Sequence, residues 1–226
     1  MRIAVLFDGG GLARLGLEEA GHDCIGFELD PNKHRLSLAV GSGQCELADV
    51  RDVDLRDFEG VWASPPCQWL SSARSEGPPR SKYATNLLDW ALALPHTPLW
   101  VENVYNPRER IFGSVWNAAQ FATKYFQNRV RIIGGRYKTP FAYREYKRYY
   151  PDAIPTISAT EFYGSRTDKR RASRIFGRRL SLDEVAMYQG FDIPSSWRVE
   201  NQELIYEAIG NGVPVYMAKA FGEAYQ

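Results

Sequence analysis

The sequence is poor in cysteine and lacks any long apolar run. Its three cysteines, Cys24, Cys45 and Cys67, are an odd number without CxxC spacing, which excludes a disulfide framework and argues against a cysteine zinc site. No apolar stretch approaches the roughly 20 residues of a transmembrane helix, and the first residues enter a predicted strand directly, which leaves no room for a signal peptide. We therefore expect a cytoplasmic protein without a membrane or metal partner.

The chain also carries almost no net charge, but its charges are unevenly placed. It has 226 residues, with 28 Lys and Arg against 27 Asp and Glu. Residues 136–180 alone contain twelve basic and four acidic residues, so the rest of the chain is acidic on balance. A nearly neutral body with one strongly basic segment indicates a polyanionic partner that is bound on one side.

Aromatic rings alternate with the basic residues of this segment. The mixture suits phosphate pairing together with base stacking on a nucleic acid. A solvated loop with a few packed rings is the alternative. The basic residues that we expect to bind nucleic acid are Arg144, Lys147, Arg148, Arg170, Arg171 and Arg174.

Short apolar runs alternate with helical stretches over the first 135 residues. This pattern predicts an α/β fold with a mostly parallel sheet and helices on both faces. Ser181 followed by Glu184 predicts a further helix that begins with a capping box. Strands are predicted at residues 3–7, 24–28, 46–49, 61–63, 99–102 and 129–134, and helices at residues 12–20, 31–39 and 85–94.

The first predicted strand ends in three glycines, residues 9–11. A strand, a glycine turn and a helix place backbone N–H groups at a helix N-terminus, and Glu28, ending the next strand, stands where an acid can accept from two ribose hydroxyls. The GxGxxG pattern is incomplete because Arg14 takes the place of its third glycine, so a plain tight turn is an equal alternative. Asp49 suits an adenine amino group, or else is a helix cap or a solvated acid.

Cys67 directly follows two prolines at the end of the fourth predicted strand. The carboxyl ends of strands are where open α/β sheets place their sites, and the prolines restrict the backbone there. Glu102 ends the next strand and would face the same crevice, where burial keeps it protonated and able to donate. The alternatives are an inert core thiol, which we expect for Cys24 and Cys45, and a structural acid bonded to a neighbouring helix.

Two arginines, Arg129 and Arg131, begin the sixth predicted strand. Side chains two residues apart point to the same face of a strand, so both can hold a phosphate or a base carbonyl oxygen. Exposed arginines usually have no such specific role, and this is the alternative.

Taken in order, these segments resemble the DNA (cytosine-5) methyltransferase family over nearly the whole chain outside the basic segment. Residues 6–21 are similar to its S-adenosylmethionine loop and residues 28–31 to its ribose-binding motif. Residues 65–71 are similar to the nucleophile loop and residues 102–104 to the acid motif. The Gln-x-Arg-x-Arg motif begins at Gln127, and the last two blocks correspond to residues 179–191 and 208–214.

The resemblance implies an S-adenosylmethionine-dependent methyltransferase with a Rossmann-like fold. Residues 1–135 and 200–226 would form the catalytic, cofactor-binding domain, and residues 136–199 a small DNA-recognition subdomain. The residues implied to bind S-adenosylmethionine are Phe7, Gly9, Gly10, Glu28, Leu29, Asp49, Val50, Pro66 and Asn211.

The reaction implied is transfer of a methyl group to C5 of a flipped cytosine. Cys67 would add to C6, Glu102 would act at N3 and Arg131 would hold O2, with Arg129 as a second catalytic arginine. Double-stranded DNA would be the partner of a monomer in a bacterial or phage-infected cell. Gln68 and Ser71 would contact the DNA together with the basic residues named above.

One departure from the family concerns the stretch between Gly135 and Arg179, which is short where the family has a long target-recognition domain. Few base contacts fit there, so we expect a short or degenerate target. An RNA (tRNA) cytosine-5 methyltransferase would share nearly every motif. A non-catalytic DNA-binding module and an NAD-dependent oxidoreductase are the further alternatives; the incomplete glycine pattern argues against the oxidoreductase.

Overall fold

The computed structural model describes residues 1–67, 70, 87–157 and 176–226. Five predicted contacts with DNA therefore lie outside the described residues, and they remain predictions. These are Gln68, Ser71, Arg170, Arg171 and Arg174.

The secondary structure follows the predicted alternation of strands and helices. The strands are β1 (Arg2–Leu6), β2 (Asp23–Glu28), β3 (Cys45–Leu47), β4 (Gly60–Ala63), β5 (Leu99–Val104), β6 (Ser114–Asn117), β7 (Gln127–Asn128), β8 (Val130–Arg136) and β9 (Ile154–Pro155). The α-helices are α1 (Leu12–Glu19), α2 (Pro31–Ser37), α3 (Leu88–Leu92), α4 (Leu182–Gln189), α5 (Gln202–Asn211) and α6 (Val215–Glu223). Short 3-10 helices cover Ala118–Gln120 and Ser195–Val199.

Seven strands form one sheet in the order β3-β2-β1-β4-β5-β8-β6. The five strands from β3 to β5 are parallel, which confirms the predicted mostly parallel sheet. Strand β8 runs antiparallel to β5, and β6 runs antiparallel to β8. The sequence analysis missed β6, because this four-residue strand has a half-exposed, mixed composition that gives no alternating pattern.

Alternate residues of β1 enter two different cores. Ile3 and Val5 pack with α1 and α6 on one face of the sheet, whereas Ala4 and Leu6 pack with β4 and β5 residues on the other. Because both faces are covered, β1 is a continuous apolar run rather than an alternating one. This burial fixes the central strands, and with them the loops at their carboxyl ends.

Helix α1 packs closely against α6 through Gly16. A Cβ atom at this position would collide with the carbonyl oxygen of Val215 and lie 2.8 Å from Cβ of Ala218. The missing side chain therefore lets the two backbones approach and bury Leu17 and Phe221 between them and the sheet. The approach holds the helix that follows the glycine turn in place.

The chain after the basic segment packs onto the body of the protein. Leu180 and Val185 share a hydrophobic cluster with Leu12 of α1 and Leu36 of α2. Helix α4 begins with the predicted capping box, since Ser181 Oγ accepts from the Glu184 amide at 3.2 Å and Glu184 accepts from the Ser181 amide at 2.8 Å. The division of the chain into a catalytic domain (residues 1–135 and 200–226) and a DNA-recognition subdomain (residues 136–199) remains a prediction.

The described residues contain neither a helix suited to cross a membrane nor a cluster of candidate metal ligands. In the ranges given above, none of the helices has the length and apolar content needed to cross a membrane. Among the same residues, His, Cys, Asp and Glu side chains form no group of three or more that is placed to hold a metal ion.

Candidate active site

The carboxyl ends of the central parallel strands surround a cavity of about 270 Å³. All nine residues predicted to bind the cofactor line it, and so do three of the four predicted catalytic residues, Cys67, Glu102 and Arg131. Residues from distant parts of the chain thus meet because parallel strands end at the same edge of the sheet. The cavity is also lined by residues that the sequence analysis did not name, among them Asp8, Lys33, Arg51, Leu87 and Asn103.

The glycine turn is held directly by Glu28. The amides of Gly9 and Asp30 each donate to one oxygen of this carboxylate at 2.8 Å, so each oxygen keeps a lone pair for another donor. Burial raises the pKa of Glu28, and these two backbone bonds oppose the rise. Phe7 lies at φ 61° and Gly9 at φ 60°, a left-handed conformation that is strained for phenylalanine.

A buried ion pair beside this turn was not foreseen. Arg14 is fully buried, and its Nε lies 3.1 Å from Asp8 Oδ2. Its Nη2 donates to the carbonyl oxygens of Ser37 at 2.8 Å and Val40 at 3.1 Å. The residue in the place of the third glycine therefore ties the turn to the end of α2. Asp8 follows a strand and precedes glycines, which gave only the signal of a turn.

Asp49 lines the cavity and forms an ion pair with Arg51 at 2.5 Å. Hydrogen bonds from the Arg51 side chain and amide lower the pKa of Asp49 to about 2. It is therefore a carboxylate at physiological pH and can accept a hydrogen bond. The strand before it ends at Leu47 instead of Asp49, so Asp49 belongs to the following loop.

The loop that carries Cys67 is fixed from the neighbouring strand. Asn103 of β5 donates from Nδ2 to the carbonyl oxygen of Pro65 at 2.9 Å, and Trp62 donates to Ser64 Oγ at 3.0 Å. Burial raises the pKa of the Cys67 thiol, while the nearby Arg131 charge opposes the rise. The free protein therefore holds Cys67 mainly as a thiol at neutral pH.

Glu102 and Arg131 face each other inside the cavity. Arg131 Nε lies 2.8 Å from Glu102 Oε1, and the two side chains are only 6% and 5% exposed. Neither of these two atoms makes a hydrogen bond, because the geometry between them is poor. Burial was the basis for expecting a protonated Glu102, and the structure places the Arg131 guanidinium beside this buried side chain. The protonated state of Glu102 remains a prediction. The pair leaves one buried donor and one buried acceptor open to a ligand.

Arg129 lies apart from the cavity lining, unlike Arg131. Its guanidinium donates to the carbonyl oxygens of Ile157 at 2.8 Å and Gly210 at 2.6 Å. Full burial and the neighbouring Arg131 charge lower the pKa of Arg129 well below its usual range. The two arginines predicted to act together thus have different partners.

Gln127 and Gln189 extend the contacts of Arg129. Gln127 Oε1 accepts from the Ile157 amide at 2.9 Å, and its Nε2 donates to Gln189 Oε1 at 2.7 Å. Gln189 in turn donates to the carbonyl oxygen of Ile209. This buried network connects Ile157 of the basic segment to the last turn of α5, where Asn211 lines the cavity.

The described basic residues differ in whether their charged groups already have partners within the protein. Arg144 forms an ion pair with Asp152 at 2.8 Å and lies over the ring of Phe126 at 4.1 Å. Lys147 and Arg148 are exposed, and their carbonyl oxygens accept from Asn117 Nδ2. Their ammonium and guanidinium groups therefore extend into solvent from a fixed backbone.

The fold has counterparts among solved methyltransferase structures. Dnmt2 from S. pombe is 14% identical with a TM-score of 0.62, and the match covers 97% of this chain and 96% of that one. The Entamoeba histolytica methyltransferase EhMeth is 12% identical with a TM-score of 0.66, covering 99% and 97%. A putative DNA modification methyltransferase from an E. coli prophage is 13% identical with a TM-score of 0.60, covering 99% and 98%.

These TM-scores establish a shared fold, the mostly parallel sheet of S-adenosylmethionine-dependent methyltransferases. No curated protein sequence matches the chain. The sequence model of the C-5 cytosine-specific DNA methylase family matches residues 96–226, more than half of the chain. This range contains Glu102, Arg131 and Asn211 of the cavity, and the chain belongs to the C-5 cytosine-specific DNA methylase family.

Proposed function

We propose that the protein transfers a methyl group to C5 of cytosine in DNA through a covalent intermediate on Cys67. The observation that carries the proposal is a single cavity that contains a thiol, a buried acid facing a guanidinium, and a glycine turn with its acidic partner. Methylation of a cytosine ring requires a nucleophile and charged groups that hold the ring, placed beside a site for the methyl donor.

The residues around Glu28 fit S-adenosylmethionine. Glu28 offers two carboxylate oxygens with free lone pairs to ribose hydroxyls, Asp49 offers an acceptor to the adenine amino group, and Phe7 offers an apolar ring. When bound, S-adenosylmethionine supplies the electrophilic methyl group. The remaining chemistry belongs to the side chains of this chain.

Cys67 acts first as the nucleophile. The Cys67 thiol loses its proton to water, and the thiolate sulfur forms a bond to C6 of cytosine. The electron pair of the C5–C6 double bond then becomes available at C5. Glu102, when it carries a proton, donates a hydrogen bond to N3 of the ring, and the open Nε–H of Arg131 donates to O2. After methyl transfer, C5 loses its proton to water and the bond from sulfur to C6 breaks, which releases Cys67 and 5-methylcytosine.

We propose a positioning role for Arg129 in place of contact with the base. Its hydrogen bonds to the carbonyl oxygens of Ile157 and Gly210 hold the basic segment against the last turn of α5. The two domains and the monomeric state expected from sequence remain part of the proposal.

Methyl incorporation into defined substrates tests the proposal. Duplex DNA and tRNA transcripts are incubated with S-adenosylmethionine that carries a labelled methyl group, and the nucleosides are separated by mass spectrometry. We expect 5-methylcytosine in the DNA. Labelled cytosine in RNA alone would assign the chemistry to the alternative substrate, and label in neither would support a non-catalytic module.

We expect Glu28→Ala to weaken S-adenosylmethionine binding by roughly 30-fold. A charge-assisted contact to two hydroxyls contributes about 2 kcal/mol, and its loss also frees the Gly9 amide. Isothermal titration calorimetry measures the change, and Glu46→Ala, an exposed acid on β3, is the control. Unchanged affinity in a folded Glu28→Ala protein would remove the assignment.

The raised pKa of Cys67 predicts slow alkylation at neutral pH. Because the thiolate is the reactive form, the rate with iodoacetamide should rise with pH, with a midpoint above that of an ordinary thiol, about 8.5. Arg131→Gln should move the midpoint further upward, because the arginine charge favours the thiolate. Cys24 and Cys45 have pKa values raised to about 12 and are buried, so Cys67→Ala should remove the labelling. A midpoint below that of a free thiol would contradict the prediction.

The short recognition segment predicts a short or degenerate target, such as cytosine with one or two fixed neighbours. Each bidentate base contact discriminates by roughly 1–3 kcal/mol, whereas lysine and arginine contacts to phosphate position the duplex without reading it. Bisulfite sequencing of methylated random DNA measures the target directly. Lys147→Glu with Arg148→Glu should weaken binding to all sequences about equally and reduce the salt dependence. A strict site of four or more bases would exclude this view.

A further inference from the structure

Among the described residues of the basic segment, four aromatic side chains between positions 141 and 149 are exposed. They are Phe141, Tyr143, Tyr146 and Tyr149, with exposed fractions of 73%, 62%, 45% and 60%. The rings of Phe141 and Tyr143 contact each other edge to face, with centroids 5.4 Å apart. Tyr150 of the same segment is 4% exposed, so the structure separates rings that pack from rings that do not. So many exposed rings in nine residues mark a contact surface.

The backbone that carries these rings is held by hydrogen bonds to the neighbouring residues Gln120, Asn117 and Asn128. Tyr143 donates its amide to the carbonyl oxygen of Gln120 at 2.9 Å. Asn117 Nδ2 donates to the carbonyl oxygen of Lys147 at 3.1 Å, and Asn128 Oδ1 accepts from the Tyr150 amide at 2.7 Å. The side chains of Asn117 and Asn128 are buried. The segment is therefore an ordered support whose aromatic side faces solvent, which lowers the entropy cost of binding.

The topology places this support at the catalytic edge of the sheet. Val104, at the carboxyl end of β5, pairs with Arg131 of β8, and Val130 of β8 pairs with Asn117 at the end of β6. Two strand spacings, roughly 10 Å, separate Asn117 from β5. The backbone that carries the rings, held by Asn117, thus lies at the same edge of the sheet as the cavity that contains Glu102.

We propose that Phe141, Tyr143, Tyr146 and Tyr149 form an aromatic surface that stacks unpaired DNA bases beside the target cytosine. Residues 138–148 contain four basic residues and one acidic residue, so the charge around the rings complements a phosphate backbone. An intact duplex presents base edges, whereas an opened strand presents base faces, and faces are what aromatic rings stack on. The inference rests on the proposed function only in taking DNA as the ligand.

Binding of three DNAs of one sequence tests the aromatic surface. They are an intact duplex, a duplex with mismatched pairs next to the target cytosine, and the single strand. The variants are Tyr143→Leu with Tyr149→Leu, which keeps apolar bulk, and Tyr143→Phe with Tyr149→Phe, which keeps the rings. Val199→Ser is the control, because it removes an exposed apolar side chain outside the basic segment. Val199 is 88% exposed, and its neighbour Glu200 pairs with Arg35 of α2. Fluorescence anisotropy on the full chain gives the dissociation constants.

We expect the leucine variant to lose about tenfold or more in affinity for the mismatched duplex and the single strand. Its affinity for the intact duplex should change less than about threefold, and the phenylalanine variant and Val199→Ser should match the original protein. An equal loss on all three DNAs, or no loss on the opened ones, would overturn the proposal. An RNA single strand of the same sequence is measured in parallel, and ring-dependent binding of that RNA without binding of the DNAs would overturn the assignment to DNA.

This experiment is independent of methyl transfer. Binding is measured without S-adenosylmethionine. If the protein is inactive but its binding depends on the rings, the aromatic surface is supported and the proposed reaction is contradicted. If the protein methylates duplex DNA but its binding does not depend on the rings, the proposed reaction is supported and the aromatic surface is contradicted.

Discussion

Cys67→Ala should abolish covalent capture of DNA that contains 5-fluorocytosine. Fluorine at C5 blocks the final proton loss, so the adduct between the Cys67 sulfur and C6 persists after denaturation. Without the thiol no bond to C6 forms, and turnover should fall by at least ~10³-fold. Denaturing electrophoresis of the protein with labelled DNA and S-adenosylmethionine measures the adduct directly.

Cys24→Ala is the matched control for this experiment. Cys24 is a buried thiol that lies in the core on α1's side of the sheet, away from the cavity lining. Its variant should form the adduct at the original rate, apart from a modest loss of stability. An adduct that survives Cys67→Ala would show that another residue is the nucleophile.

The two arginines of the Gln-x-Arg-x-Arg motif should respond differently to the same substitution. Arg131→Met removes the group that faces Glu102 in the cavity, and we expect single-turnover methyl transfer to slow by about 10²–10³-fold. Arg129→Met leaves the buried carbonyl oxygens of Ile157 and Gly210 without donors. Its main effect should be a loss of roughly 2–5 kcal/mol in unfolding free energy.

Single-turnover rates and chemical denaturation of each variant separate the two roles. Because Arg131→Met also leaves Glu102 buried without its charged partner, Arg131→Lys is the second variant, since it keeps a positive charge beside Glu102. If the chemistry depends on Arg131, folded Arg131→Met is slow and Arg131→Lys recovers part of the rate. The original rate in folded Arg131→Met, or a chemical defect in Arg129→Met without a loss of stability, would reverse the roles assigned to the arginines.

Much of the cavity lining was predictable because its residues follow strands. Glu28 ends β2, the glycine turn follows β1, and Cys67 follows β4. Parallel strands end at one edge, so a correct list of strands places these residues together without coordinates. The capping box at Ser181 was equally readable, since both of its hydrogen bonds are local.

The long-range polar contacts were not predictable in the same way. Arg14 looked like a substitution that spoils a glycine motif, but its guanidinium reaches Asp8 and two carbonyl oxygens near the end of α2. Arg129 and Arg131 looked equivalent at two-residue spacing, but one meets backbone carbonyls and the other meets Glu102. A pattern along the chain records which side chains are near in sequence, and these partners come from elsewhere in the fold.

The sequence by itself determined most strands of the sheet, the glycine turn, the loop that carries Cys67 and the basic character of residues 136–180, because each is a local property of composition and spacing. The tertiary structure alone decided that β8 runs antiparallel beside β5, which sets Arg131 opposite Glu102. It also decided which rings of the basic segment pack and which face solvent. These outcomes depend on sheet pairing and burial between distant segments, and no local preference encodes them.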